Sequence, residues 1–242
     1  MAEWFDQLQR DFYVNFIEDD RWRYLTTGLV NTLKITFFAV LLGIAIGIIV
    51  AIVRSSYDKT KDELRPGLGS FLLRFFNALC KLYITVIRGT PVVVQLMIMY
   101  YIIFASSRNG VGVATLAFGI NSGAYVAEIF RSGIMSIDEG QFEAGRSLGF
   151  NYVQTMRYII VPQAFKNVLP TLANEFIALL KETSVSGYVT VRDLTMGGNI
   201  IRSATFSAFL PLFAVAAIYL ILVMFFTFLV GKLERRLRNS ER

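Results

Sequence analysis

The sequence predicts an all-α membrane protein of about five transmembrane helices, with one short helix held on the cytoplasmic side. Three observations carry this. First, 55% of the 242 residues are hydrophobic and only 17% are charged, where a soluble domain carries about a quarter charged residues. Second, three uncharged runs, Ile35 to Val53, Asn109 to Ala127 and Ser203 to Gly231, match or exceed the roughly 20 residues of a spanning helix. Third, positive charge is collected in two places. Arg54, Lys59, Lys61 and Arg65 form one group, and Lys232, Arg235, Arg236, Arg238 and Arg242 the other. The stretch before residue 21 holds six acids against one arginine. Short loops rich in Lys and Arg stay in the cytoplasm, so the first loop and the C-terminus are expected inside, the N-terminus outside, and the number of spans odd.

The elements follow in order. Residues 1–26 read as an extracytoplasmic segment, acidic and aromatic rather than a basic region leading into a signal sequence. The transmembrane domain is expected over 27–233 and a basic cytoplasmic tail over 234–242. Span 1 covers about Thr27 to Val53, with Gly43 and Gly47 at a small-xxx-small spacing that lets helices approach closely. The region from Ser70 to Phe104 would be about 50 Å long as one helix, too long for a hydrocarbon core of about 30 Å. It reads instead as an interfacial elbow and a crossing that ends near Phe104, broken at Gly89 and Pro91. Span 3 covers about Val113 to Ile134. Span 4 runs from about Gln163 to Leu180, with Pro170 inside it, and a polar external segment leads to span 5, about Phe206 to Val230.

Several function classes are excluded by composition. The single cysteine, Cys80, sits among apolar residues and reads as a small hydrophobe. With no histidine there is no imidazole for zinc or haem, and no catalytic or metal-ligating set is expected. A membrane enzyme finds no nucleophile or paired carboxylates here. The basic tail beside a span is a topology signal, so nucleic acid is not expected as a partner. No G-x-x-x-x-G-K-[ST] occurs, because Gly231-Lys232 is followed by Leu233. The chain cannot cradle ATP phosphates and binds no cofactor of its own.

The stretch FEAGRSLGFNYVQTMRYIIVP, Phe142 to Pro162, is too polar to span a bilayer. A short helix is expected from Ile137 to Gly149, with Phe142 and Leu148 on one side, then a glycine turn and a second short helical piece. Its spacing fits EAA-x3-G-x9-I-x-L-P, with Gly145 where alanine is usual and Val161 where leucine is usual. That pattern resembles the coupling loop of bacterial ABC importer permeases. GLVNTLKIT, VIRGTPVVVQL, GAYVAEIFRSGI and PTLANEFIALLKETSV are similar to the polar amino-acid branch, the histidine, glutamine, arginine and cystine permeases. The similarity spans Thr27 to Phe228, and Ser132 replaces a common glycine with no effect expected.

The resemblance implies a type I ABC importer permease in the bacterial inner membrane. Such a permease pairs with a second copy or a paralogue, with a dimer of ATPase subunits that hold the ATP and magnesium, and with an extracytoplasmic amino-acid-binding protein; its other contact is membrane lipid. The loop from Ile137 to Pro162 would couple to the ATPase through Phe142, Glu143, Ala144, Gly145, Arg146, Leu148 and Gly149. An ion-gradient-driven secondary transporter or channel is the alternative, and it leaves the spaced loop unexplained.

Polar groups inside a membrane are costly and default to functional roles. Asn174 and Glu175 lie one turn beyond Pro170, where a proline-interrupted helix can present charge to a substrate. Glu175 suits a substrate ammonium, or else pairs with a neighbouring cation such as Arg88. Arg88, Thr90 and Gln95 cluster at the break near Gly89. Arg88 offers a fork for a substrate carboxylate, or anchors a helix end at the headgroups. Lys181 stands at the outer end of span 4, where it would shape an external gate.

Overall fold

The computed structural model describes residues 2–61, 64 and 66–239. It is all-helical, and among the described residues no strand forms. The helices are α1 (Ala2–Phe12), α2 (Trp22–Thr60), α3 (Leu68–Arg88), α4 (Val92–Ile98), α5 (Gly110–Met135), α6 (Glu139–Ser147), α7 (Tyr152–Thr155), α8 (Val161–Glu182), α9 (Leu194–Thr205) and α10 (Phe209–Asn239). Four of them, α2, α3, α5 and α10, are long and apolar enough to cross a membrane by length and composition.

The expected elements are modified in three places. Gly89 and Pro91 do interrupt the helix, since α3 ends at Arg88 and α4 starts at Val92. However, α3 is an unbroken helix of 21 residues that itself qualifies as a span, so it is not merely an elbow. The shorter α4 continues through a π-helical turn, Met99–Ile103. The helix α8 forms around Pro170 as expected, but its Gln, Asn, Lys and Glu residues keep it out of the four apolar spans. Finally, α10 runs on to Asn239, so the basic residues after Leu233 extend a helix; residues 240–242 lie outside the described chain.

The chain divides into two compact units. The first comprises Met1–Ala39, Val93–Phe118 and Ile177–Leu229. Its core joins Phe16, Leu25, Leu194, Ile201 and Val215. Here α2 and α9 touch backbone to backbone, because a Cβ on Gly28 would lie 2.5 Å from the Asp193 carbonyl oxygen and one on Gly197 2.5 Å from that of Tyr24. The segment expected to be a polar external loop is therefore well structured. A 3₁₀ stretch, Thr183–Val189, leads to Asp193, whose carboxylate caps α9 by accepting from the Thr195 and Met196 amides, each at 3.1 Å. The Leu194 amide donates to Thr32 Oγ1 at 3.1 Å.

The second unit comprises Val40–Val92, Gly119–Phe176 and Val230–Arg242. Here α2 packs on α5 without a side chain's width between them. A Cβ on Gly43 would meet Ser122 Oγ at 2.9 Å, and one on Gly47 would meet Val126 Cγ1 at 2.4 Å. On the other side α5 meets α8, with Val126, Val168 and Leu172 forming the core. Cys80 packs beside Val50, Ile84 and Ala127, as its apolar surroundings suggested.

Asp193 is fully buried, outside the four apolar spans. Burial pushes its carboxyl up to about 6 from the ordinary 3.8, against the amide bonds that lower it. A folded value above the unfolded one stabilises fully below pH 4, and the stabilisation is lost as pH rises through 6. We expect Asp193→Asn to flatten the fall in stability between pH 4 and 7, by up to about 3 kcal/mol. Unfolding midpoints of the detergent-solubilised protein across that range measure this; parallel curves for the two proteins would contradict it.

Candidate functional site

Asp138 opens the first site by accepting from the Gly140 amide at 2.7 Å, which caps α6. Nine residues later the helix closes in a Schellman turn. The Phe150 amide donates to the Gly145 carbonyl at 3.0 Å and the Gly149 amide to the Arg146 carbonyl at 2.9 Å, with Gly149 at φ +78. Glycine takes that left-handed backbone without strain, so the turn falls where the spacing placed it. Asn151 then caps α7, and the Gln154 side chain returns to the Asn151 amide. A π turn, Met156–Ile160, precedes Pro162. The missing proline N–H is absorbed by this local change of winding, and the backbone stays helical into α8.

One expectation is corrected here. Phe142 and Leu148 do not share a side, because six residues place them two-thirds of a turn apart. Phe142 is 8% exposed and packs with Ile134, Ile137, Ile160 and Ala164, whereas Leu148 is 71% exposed. Phe142 therefore anchors α6 to the rest of its unit, and Glu143, Ala144, Arg146, Leu148 and Gly149 are left facing outward, together with Val153 and Tyr158. Gly145 is buried, and a Cβ there would lie 2.6 Å from Thr155 Cγ2. The glycine in place of the usual alanine is what lets α7 fold back on α6. The Lys59 ammonium sits 4.5 Å from the centre of the Phe142 ring and 3.0 Å from Glu139 Oε1.

A cavity of about 480 Å³ forms the second site, in the same unit. Arg88 and Glu175 both line it. The Arg88 guanidinium lies over the Tyr125 ring at 5.3 Å, and Glu175 Oε1 accepts from Ser122 Oγ at 2.9 Å. Thr90 and Asn174 are exposed and do not line the cavity, and the Asn174 amide donates to the Pro170 carbonyl at 3.1 Å. Gln95 and Lys181 belong to the other unit.

Residues missed by the sequence reading complete the wall. They include Tyr125, Glu128, Arg131 and Ser132 of α5, Ser136 just past its end, and Asn167 and Thr171 of α8. Ser132, set aside above as an inert replacement, stands on the wall itself. The signal was present: positions 125, 128 and 132 recur at three- and four-residue steps, one polar stripe on a helix long enough to span, and Ser136 follows one step past its end. Arg131 is held within the wall by Glu128 at 3.2 Å and by Asp58 of α2 at 3.6 Å.

Residues 67–239 match the family model described as the binding-protein-dependent transport system inner membrane component. The chain belongs to this family. It is a multi-pass inner-membrane permease component, and the ATP hydrolysis that drives such systems is done by a separate subunit. A putative glutamine transport system permease protein from Rickettsia felis is 34% identical over 221 residues, which cover 88% of this chain and 93% of that protein. The arginine transport system permease protein of Bacillus subtilis is also 34% identical, over 90% and 94% of the two chains. A crystal structure of an amino acid ABC transporter with histidines superposes with a TM-score of 0.77 at 39% identity, covering 88% of this chain and 94% of that one. The fold of this permease is thus that of ABC importer permeases, and the family implies an ATPase and a substrate-binding protein as partners.

In this permease Thr155 Oγ1 is buried with no hydrogen-bond partner among the described residues, so Thr155 can be trimmed at little polar cost. We expect Gly145→Ala to destabilise the α6–α7 turn by about 1–3 kcal/mol through overpacking. Adding Thr155→Ala should recover most of that loss. Thermal unfolding of the two variants in detergent gives the comparison, and a neutral Gly145→Ala would show that α6 and α7 are not in tight contact.

Proposed function

We propose that this permease forms the membrane path for a polar amino acid handed over by an extracytoplasmic binding protein. In this reading the Ile137–Pro162 loop takes up the movement of a partner ATPase dimer, which holds ATP and magnesium. The observation that carries the reading is the presence of Arg88 and Glu175 on the wall of one cavity. A zwitterionic amino acid offers a carboxylate for a guanidinium fork and an ammonium for a carboxylate. Arg131 is already engaged by Glu128 and Asp58, so the carboxylate role falls to Arg88 and the ammonium role is assigned to Glu175. The glutamine and arginine permeases among the relatives support a polar amino acid as cargo.

The remaining assignments follow from the same reading. The exposed Glu143, Ala144, Arg146, Leu148 and Gly149 contact the ATPase, with Phe142 and Gly145 shaping the turn from within. A second copy of this chain or a paralogue completes the pathway. The C-terminus and the α6 loop lie in the cytoplasm, the N-terminus lies outside, and lipid covers the outer apolar faces. Thr90, Gln95, Asn174 and Lys181 serve the path away from the cavity wall. Family membership favours ATP-driven import over an ion-gradient carrier.

Glu175→Gln tests the cavity assignment. A glutamine oxygen can still accept from Ser122, so assembly should survive. Loss of a charge-assisted bond to a substrate ammonium would cost about 1.5–3 kcal/mol, a drop in affinity of about 10- to 150-fold. Uptake per assembled complex, measured in proteoliposomes with the ATPase and binding protein across the twenty amino acids, should fall most for cationic substrates. Unchanged uptake of every substrate by a well-assembled variant would remove Glu175 from the path.

A further inference from the structure

We infer that Asp58 and Lys59, in the last turn of α2, are positioning residues that tie the coupling helix to the cavity wall and set how much uptake each ATP hydrolysed yields. The inference rests on α6 being the surface that the ATPase moves. Adjacent residues on a helix point about 100° apart, and these two reach different elements within one unit. Lys59 points to α6, where it meets the ring of Phe142 and the Glu139 carboxylate. Asp58 points to α5, where it meets Arg131 on the wall of the cavity. One helical turn therefore touches both sites.

The strengths of the contacts say which matter. The Glu139 side chain is 84% exposed, and an ion pair so exposed contributes little. Phe142 is buried in the core of the turn, so a cation seated on its ring is the firmer attachment. Asp58, Glu128 and Arg131 are each about 30% exposed or less, in partial shelter from solvent. Arg131 has two carboxylate partners on different helices, and its Nε is buried without a partner among the described residues. Released from Asp58 it would still be held by Glu128, so the proposal gives it two arrangements, held by both acids or by Glu128 alone. Coupling between distant sites needs such a bistable contact. A pull on Phe142 moves the last turn of α2 through Lys59, Asp58 moves with it, and the guanidinium is released from or returned to Asp58 at the cavity.

The experiment is the ratio of ATP hydrolysed to amino acid taken up, in proteoliposomes holding the full complex. Asp58→Asn and Lys59→Gln should each raise that ratio about fivefold or more, the lower end of measured couplings between sites. Asp58→Glu retains the carboxylate, so it should keep the ratio of the unaltered chain. A purely structural role would lower hydrolysis and uptake in step, and that result, or unchanged ratios in both disruptive variants, overturns the tie. Should Asp58→Asn fail to assemble, Lys59→Gln decides alone. If the unaltered chain drives no ATP-dependent uptake of any amino acid, the proposed function itself fails, an outcome distinct from normal uptake with unchanged ratios.

Discussion

The contact between α2 and α5 is the constraint on which the cavity-bearing unit depends. In a bilayer, lipid tails are as apolar as leucine, so helices gain little by hiding from their surroundings. Association relies on close packing and polar contacts between backbones brought near one another. Gly43 and Gly47 remove the side chains that would hold α2 away from Ser122 and Val126. Ser122, with its Cβ at that contact, donates to Glu175 of α8, and Val126 packs against Val168 and Leu172. The same few residues of α5 therefore hold α2 on one side and α8 on the other. The polar stripe on α5 is presented between them because its other faces are committed to packing.

Below that contact the unit is organised by charge and one aromatic ring. Phe142 fixes α6 by burial, and Lys59 covers the ring. Glycine serves two unlike purposes within this turn. Gly149 supplies a left-handed backbone that ends α6, and Gly145 supplies space for Thr155. Glu143, Ala144, Arg146 and Leu148 face outward, as a docking surface requires.

Much of this was legible in the sequence because it depends on local rules. Uncharged runs of spanning length mark α2, α5 and α10, the spacing of Gly149 marks the end of α6, and Gly89 with Pro91 marks the end of α3. What could not be read depends on contacts between residues far apart in the chain. The inward turn of Phe142 is decided by Ile160 and Ala164, some twenty residues on. The departure at Gly145 is explained only by Thr155. Lys59 looked like a topology charge and Asp58 carried no assignment, and only folding gives each a distinct partner. The extent of α3 was misjudged because Arg74 and Lys81 interrupt its apolar run, although a helix of 21 residues tolerates long side chains that reach for the interface. For the cavity, Glu175 and Arg88 stood out as charges, while the serines and Tyr125 beside them were hidden among ordinary span residues.

The central claim is that the exposed side of α6 is where the ATPase engages this permease. The most direct measurement places a photo-crosslinking amino acid at Leu148, the most exposed apolar side chain of the turn, in cells that make the permease with its partner ATPase. A crosslink to the ATPase, lost when the same group is placed at Tyr188 in the other unit, is the result expected. Crosslinks from Leu148 to lipid alone, or to the binding protein, would contradict the account.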